Sequence, residues 1–535
     1  MSLRTYTTRR SSGMRLLAGF LLAASVMVMV PALPAGAAAG DLDTSYGGGD
    51  GIVDLEALGL ASGGSGVFGA VQADDKVILS RFNYHSVGNG VDLLVARLNT
   101  DGSVDTSFGT SGLATVEAGS DIRLFPAGNP IVQPDGKIVV LARRQNPTLS
   151  WSDVAVVRLN TDGSLDTSFG TSGLATTDLY TRDAPAAVTI QADGKIVVLS
   201  GDNLASWSNK YVILRYNSDG SLDTGFGGGD GVVETAGPAG ATSDLQYPHA
   251  IAVKSDGKIV AVGGGYSRQY SGSNNFGVIV VYNTDGTLDT TFDSDGIVYT
   301  NWASNKDNPR DLKDVAIQAD GKIVAVGYAS GGSLGSWLAV VRYNVDGTRD
   351  TSFNPEPDCL TPTGCAINPS DGVALLAGIP DNPLGVSTSG GTGEAVAIDG
   401  DGKILVGGSG ASGNAWGVIR LDTAGNPDTT FGTGAVSEID DFAGYDFWGI
   451  RDILIQSDGG IIVYDQSHDY VGRLDGSGSG GGGGGGGGTP AGVTLSGTTA
   501  TVSETGTTGT FTVVLDAQPT SDVVISATSA DTGEV

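Results

Sequence analysis

Asn99, Asp101 and Asp105 put three oxygen-bearing side chains within seven residues, and the same spacing returns around the chain. Oxygen ligands so close together suit a hard cation such as calcium. A calcium loop, however, takes six to eight oxygens including a bidentate acid. A tight Asn/Asp-Gly turn uses the same residues for backbone geometry alone. Calcium is therefore the one cofactor left open, and no other is indicated. Asp183, Glu234, Asp244, Asp307 and Asp311 could supply the two carboxylates of a glycoside hydrolase. Among 59 acidic residues none of these is marked out. Gly331-Gly332-Ser333-Leu334-Gly335 fits the Gly-x-Ser-x-Gly pattern, but it lies between two β-rich runs where a nucleophile elbow needs a strand-to-helix turn. His85, His249 and His468 fall in different repeats and no Cys-x-x-Cys occurs, so the sequence does not point to a zinc-type site. The expectation is a chain with no catalytic residues.

A different set points to binding. Tyr84, Trp151, Trp207, Tyr266, Arg268, Tyr270, Trp302, Trp337 and Trp416 sit among Ser, Gly and Asn. Aromatics in such company give flat contact area with adaptable hydrogen bonding. Trp151, Trp207, Trp337 and Trp416 have a second reading, since each stands near the start of a β run and would pack there.

The elements that must position these residues repeat. An Asp-Gly turn recurs at Asp74, Asp135, Asp193, Asp256, Asp320, Asp401 and Asp458, with Asp75 replacing the glycine in the first copy. An Asp-Thr-x-aromatic corner recurs at Asp43, Asp105, Asp166, Asp223, Asp289, Asp350 and Asp428. Each copy holds four short β-rich runs separated by turn signals, the pattern of a repeated all-β blade. Runs such as Ile323 to Gly327 are apolar on both faces and so need neighbours above and below. The corner aromatics (Tyr46, Phe108, Phe169, Phe226, Phe292, Phe353, Phe431) are expected to plug the gaps between blades. The first copy opens with a corner and one strand, and the last stops one strand short. Residues 50–56 are therefore predicted to pair with residues 469–475, which removes the open sheet edges. The fold expected is an all-β, seven-bladed β-propeller of four-stranded blades closed by the N-terminal strand, with a C-terminal β-sandwich fragment.

Gln191-Ala192-Asp193-Gly194-Lys195-Ile196 and Arg158-Leu159-Asn160-Thr161-Asp162-Gly163-Ser164-Leu165-Asp166-Thr167-Ser168-Phe169-Gly170 resemble the bacterial delta-60 repeat family. That resemblance implies a β-propeller over residues 40–476 and leaves activity unassigned. Past the glycine run 477–489, a flexible linker, residues 490–535 are similar to the beginning of a Calx-beta domain. Val493-Thr494-Leu495, Phe511 to Leu515 and Asp522 to Ser526 carry that likeness. It implies calcium ligands at Glu504 and Asp531, part of a set whose later acids the sequence does not contain.

Residues 1–39 read as a secretory signal peptide: Arg4, Arg9, Arg10 and Arg15 precede the apolar run Leu16–Val30, and Ala-x-Ala sites follow. The chain carries a net charge of −30, and without those four arginines it holds 25 basic against 59 acidic residues. Such an excess argues against nucleic acid and anionic lipid as partners. In an exported chain Cys359 and Cys365 form a local disulfide around 360–364. No span of the membrane is expected once the leader is removed.

Blade geometry sorts the connections into two faces. Turns after first and third strands are tight and uniform, whereas connections after second and fourth strands vary, as in 234–249, 263–276 and 299–313. Variable loops on a rigid scaffold are where binding concentrates. The chain is thus expected to be a secreted or cell-surface binding or adhesion scaffold for extracellular protein or carbohydrate. An extracellular propeller hydrolase or lyase acting on polysaccharide, or a calcium-stabilised spacer, are the alternatives.

Overall fold

The computed structural model describes residues 38–476 except 57, 59–66, 86–89, 120–121, 147–150, 181, 203–209, 238–242, 268–273, 301–308, 331–335, 354–372, 377–391, 410–415, 433–434, 440–449 and 466–469, and beyond 476 only the strands at 493–495 and 513–515. Among these residues there are strands and turns and no helix. Hence none is long and apolar enough to cross a membrane.

Strands form where β-branched runs lie between Asp-Gly turns. After the Tyr46 corner comes β1 (Ile52–Asp54). The first unit is β2 (Phe68–Val71), β3 (Val77–Tyr84), β4 (Val91–Leu98) and β5 (Leu113–Val116). In the second, β6 (Arg123–Pro126) and β7 (Ile131–Val132) both pair with β8 (Ile138–Asn146), followed by β9 (Trp151–Leu159) and β10 (Leu174–Thr177). The third is β11 (Asp183–Ile190), β12 (Ile196–Asp202), β13 (Lys210–Tyr216) and β14 (Val232–Ala236). The fourth is β15 (Ser243–Val253), β16 (Ile259–Ser267), β17 (Asn274–Tyr282) and β18 (Ile297–Tyr299). The fifth is β19 (Pro309–Ile317), β20 (Ile323–Ser330), β21 (Ser336–Tyr343) and β22 (Val373–Leu376). The sixth is β23 (Thr392–Ile398), β24 (Ile404–Ser409), β25 (Trp416–Leu421) and β26 (Val436–Ile439). The last is β27 (Ile450–Ile455), β28 (Ile461–Asp465) and β29 (Tyr470–Leu474). Its fourth strand is β1, with Ile52 opposite Gly472, Val53 opposite Val471 and Asp54 opposite Tyr470. The pairing expected between the two ends is present. Farther on, β30 (Val493–Leu495) pairs antiparallel with β31 (Val513–Leu515).

The first strand of each unit lies beside the first strand of the next, and β27 returns to β2, so these strands line the inside of a ring. All seven corner aromatics are fully buried. Phe169, for example, packs with Val139, Val154 and Val156 of its own unit and with Val198, Val212 and Leu214 of the next. The plug role expected for them holds. Each first turn needs a left-handed residue, supplied by glycine (Gly194, φ +82°) or, in the first copy, by Asp75 at +62°.

Two connections read as loops are largely strand. Residues 243–253 and 259–267 stay paired through two bulges as far as Ser243 opposite Ser267, and β17 resumes at Asn274. Gly263, Gly264 and Gly265 break the apolar pattern, and the strands remain paired across them with a shifted register.

Candidate functional site

The Asn-x-Asp-Gly-x-x-Asp pattern serves the fold. Asp101 Oδ1 accepts from the Ser103 amide at 2.9 Å and from Ser103 Oγ at 2.6 Å. Asp105 Oδ2 receives Lys76 Nζ and Arg97 Nε, both at 2.7 Å, while its Oδ1 caps Ser107. Burial alone would raise the Asp105 pKa, yet Lys76, Ser107 and Arg97 hold it well below the carboxylate range. Arg97 also lies over the Phe108 ring, 4.6 Å from its centroid, and donates to Thr161 O of the next unit at 2.7 Å. Arg158, Arg215, Arg342 and Arg420 repeat this arrangement. Each donates to a backbone carbonyl in the following unit, at Ser218, Thr284, Thr423 and Gly476 respectively. The fourth unit departs: Val281 stands at the arginine position, and Asp289 pairs with Lys258 at 2.7 Å.

At that same seam, where the fourth and fifth units meet, a cleft of about 330 Å³ opens. From the fourth unit it is lined by Tyr247, His249, Gly264, Gly265 and Asn275; from the fifth, by Arg310, Asp311, Lys313 and Tyr328. These residues fall at the ends of strands that face the variable connections. Gly264 pairs with Asp311, bridging the two sheets. A side chain at Gly263 would run into Tyr247 O and Tyr211 Oη, and one at Gly265 into the Phe276 ring. Glycine in these strands thus permits close approach of neighbouring backbone.

Tyr247 stands out. It is the extra residue of the β-bulge between Gln246 and Pro248, has a φ of +53° and is 49% exposed. A left-handed conformation is rare for an aromatic residue, and such strain clusters at binding and catalytic sites. In the same cleft, Lys313 Nζ lies 2.8 Å from Asp311 Oδ2 and 3.2 Å from His249 Nε2, and His249 Nε2 lies 3.1 Å from Asp311 Oδ1. Burial would raise the Asp311 pKa, but bonds and charge from His249 and Lys313 keep it below the usual range. Burial would lower Lys313; Asp311 and Glu394 outweigh it and raise the ammonium pKa. The result is a Lys313–Asp311 ion pair with His249 beside it in a polar cleft.

Of the residues singled out in the sequence, Asp311 lies in this cleft, and Tyr266 occupies the strand position next to Gly265. Tyr84 is exposed at the end of β3 in the first unit, edge-on to Phe82 at 5.4 Å and Phe125 at 6.4 Å. Trp151 begins β9 with Arg144 over its ring at 4.9 Å. Trp337 and Trp416 begin β21 and β25, paired with Ala329 and Ser409. Glu234 is exposed and bonded to Lys210 at 2.5 Å and to Tyr180. Trp207, Arg268, Tyr270, Trp302, Asp307, Cys359, Cys365, Glu504 and Asp531 lie outside the described residues, as do the leader and most of residues 477–535. Sequence reading missed Tyr247, His249, Arg310 and Lys313 as a group. The available signal was Gly263-Gly264-Gly265 inside a β run together with Tyr247-Pro248-His249.

Two further acidic groups are described. Asp153, Asp178 and Asp183 each bring a carboxylate oxygen within 4.8 Å of the others and could hold a cation. Burial, with Asp178 and Asp153 nearby, pushes Asp183 up to about 7 against the bonds from the Leu179 and Tyr180 amides. Asp314 and Asp452, on the inner strands β19 and β27, are both raised, chiefly by burial.

Buried corner aromatics, repeated four-stranded units and a closed inner ring define a β-propeller repeat protein. Six segments, 72–108, 133–169, 191–226, 254–292, 318–353 and 400–431, match a repeat family described as "Domain of unknown function (DUF5122) beta-propeller". No curated protein matches the chain. Among solved structures, the chain is similar to the β-propeller domain of the Trilobed protease from Pyrococcus furiosus at 12% identity, covering 78% of this chain and 95% of that one with a TM-score of 0.40. It is similar to Drosophila Semaphorin 2a at 11% identity, covering 78% and 74% with a TM-score of 0.44. A Dyadobacter fermentans protein of unknown function matches at 13% identity, covering 68% and 97% with a TM-score of 0.38.

Proposed function

We propose that this protein is an exported, seven-bladed propeller that works by recognition, binding extracellular carbohydrate or protein through the face that carries its variable connections. The supporting observation is the cleft between the fourth and fifth units, with a strained, exposed Tyr247 at its lip. On the opposite face, the described first turns repeat one geometry, with a left-handed residue at the same place in each. Concave sites with a few convergent polar groups are the usual ligand sites. The leader reading supports export, and the Calx-beta likeness of residues 490–535 supports a surface setting.

The test is a screen of the purified full-length chain on glycan and surface-protein arrays, with and without calcium. A specific hit that weakens at least tenfold in Tyr247→Gly, with folding intact, is expected. Silence on every array would remove the reading. One observation favours an alternative, a hydrolase or lyase acting on polysaccharide: His249, Asp311 and Lys313 meet in the same cleft. Turnover of a polysaccharide, abolished in His249→Gln, would replace recognition by that activity. Calcium stabilisation would instead raise the unfolding temperature, with Asp153, Asp178 and Asp183 the described ligand set.

A further inference from the structure

We propose that Asp401 is a site of covalent modification: its carboxyl condenses with the Gly402 amide to a succinimide, which reopens as isoaspartate, while the other described Asp-Gly turns stay intact. This turn joins β23 to β24 on the uniform face, away from the cleft, so the proposal does not rest on the recognition reading. Among the described residues, every aspartate that precedes a glycine has its carboxylate engaged, Asp401 excepted. The carboxylate accepts the amide two residues on, as Asp193 Oδ1 does from Lys195 N at 3.1 Å and Asp101 Oδ1 from Ser103 N at 2.9 Å. Asp475, before Gly476, is engaged as well. In the sixth unit Asp399 stands where the other copies have glutamine or, at Lys254, lysine. Its Oδ1 takes the Asp401 amide at 3.0 Å and the Lys403 amide at 2.8 Å. The Lys403 amide is the one that Asp401 would hold if it followed Asp193. Asp401 is instead exposed, and its carboxylate has no hydrogen bond or ion pair to a described residue.

The condensation needs Gly402 N within about 3–3.5 Å of Asp401 Cγ. It also needs the carboxyl as the neutral acid, so that its hydroxyl can leave. Glycine, without a Cβ, leaves the approach open. A carboxylate tied to a backbone amide meets neither need, because it is held from turning and its bonds favour the ionised form. Ser103, Ser164, Ser221, Thr287 and Thr348 hold Asp101, Asp162, Asp219, Asp285 and Asp346 below the usual carboxylate range in this way. The turn backbone does not set Asp401 apart, since Gly402 N donates to Asp399 O at 3.0 Å much as Gly194 N does to Gln191 O at 2.9 Å. Its free side chain does. The C–N bond forms as the amide proton and the carboxyl hydroxyl leave as water, and water adds again when the ring opens. Opening at the main-chain carbonyl routes the backbone through Cγ and lengthens the turn that Ile398 and Ile404 pair across.

The test is prolonged warm incubation of the full-length protein in heavy-oxygen water at about pH 5, where some neutral acid persists. Peptide mass mapping and enzymatic methylation of isoaspartate then locate the product, with fragment masses separating Asp401 from Asp399. Label at Asp401 is expected to exceed that at any other described Asp-Gly pair by about tenfold or more. The urea-unfolded chain, labelled at all of these pairs, is the positive control. Asp399→Gln restores the residue that most copies carry and returns the Lys403 amide to Asp401, so label there should fall about tenfold. Thermal unfolding checks that this variant keeps the fold; if it does not, the comparison among pairs in the unaltered protein decides. Even labelling across the Asp-Gly pairs, no label at Asp401 in the folded chain, or an unchanged rate in a folded Asp399→Gln would overturn the assignment.

Discussion

Tyr247 is a residue the fold has no use for. Its ring is half exposed, and its backbone sits at φ +53°, where a side chain costs about 1–2 kcal/mol. The other left-handed non-glycine residues among those described are Asp75, Ser111, Ser172, Asp293, Ser294 and Ala435, five of them small polar turn residues. Tyr247→Gly is expected to leave stability within about 1 kcal/mol of the parent. Relief of strain offsets the greater freedom of the unfolded chain. Tyr247→Val, branched at Cβ and ill suited to positive φ, is expected to unfold at lower denaturant than Tyr247→Gly. Chemical denaturation of both variants checks this. If glycine proves the more damaging, the tyrosine is a packing residue after all. The same site marks the limit of what sequence could convey. Tyr247 and Lys313 are 66 positions apart, and the packing of the fourth unit on the fifth brings them together.

At the scale of the element, the corner is an ion pair wrapped around an aromatic plug. Asp166 takes Arg158 at 2.7 Å and Lys137 at 2.9 Å, whereas in the fourth unit Asp289 pairs with Lys258 alone of the two cations, Val281 filling the other place. Breaking a buried pair strands a charge and costs about 3–5 kcal/mol; with the lysine a quarter exposed, about 2 kcal/mol is the better figure. Lys258→Met should therefore destabilise by about 2 kcal/mol, and Lys137→Met by less than about 1 kcal/mol because Arg158 still holds Asp166. Both aspartates have depressed pKa values, partly through these lysines and against the burial that would raise them. Their contribution is present above about pH 4, the unfolded carboxylate value, and fades as pH falls toward the folded one. The gap between the two variants should close accordingly below pH 4 in denaturant titrations. The repeat of Asp, Thr and aromatic made these corners and their strands legible in the sequence, since turn chemistry and period are local. Which oxygens were already occupied was not legible: Arg97 reaches Asp105 from the neighbouring strand, and Thr161 O lies in the next unit.

For the whole molecule, closure is the decisive interaction. The N-terminal segment supplies β1, buries Tyr46, Val53 and Leu55 between the last unit and the first, and buries Ile52 between the last unit and the sixth. Arg473 pairs with Asp43, Gly40 N donates to Asp475 O at 2.6 Å, and Gly432 N donates to Ala39 O at 2.6 Å. Four large apolar side chains at about 1.5–3 kcal/mol each give about 6–12 kcal/mol. That is as large as the net stability of a typical domain. A chain beginning at residue 57 should consequently lose cooperative thermal unfolding, exposing the backbone of β29 as a free edge that invites self-association. Adding a peptide of residues 38–56 in trans should restore a cooperative transition by re-pairing Val53 with Val471. A shortened chain that melts as sharply as the parent, and ignores the peptide, would mean that the ring does not depend on its first strand for closure.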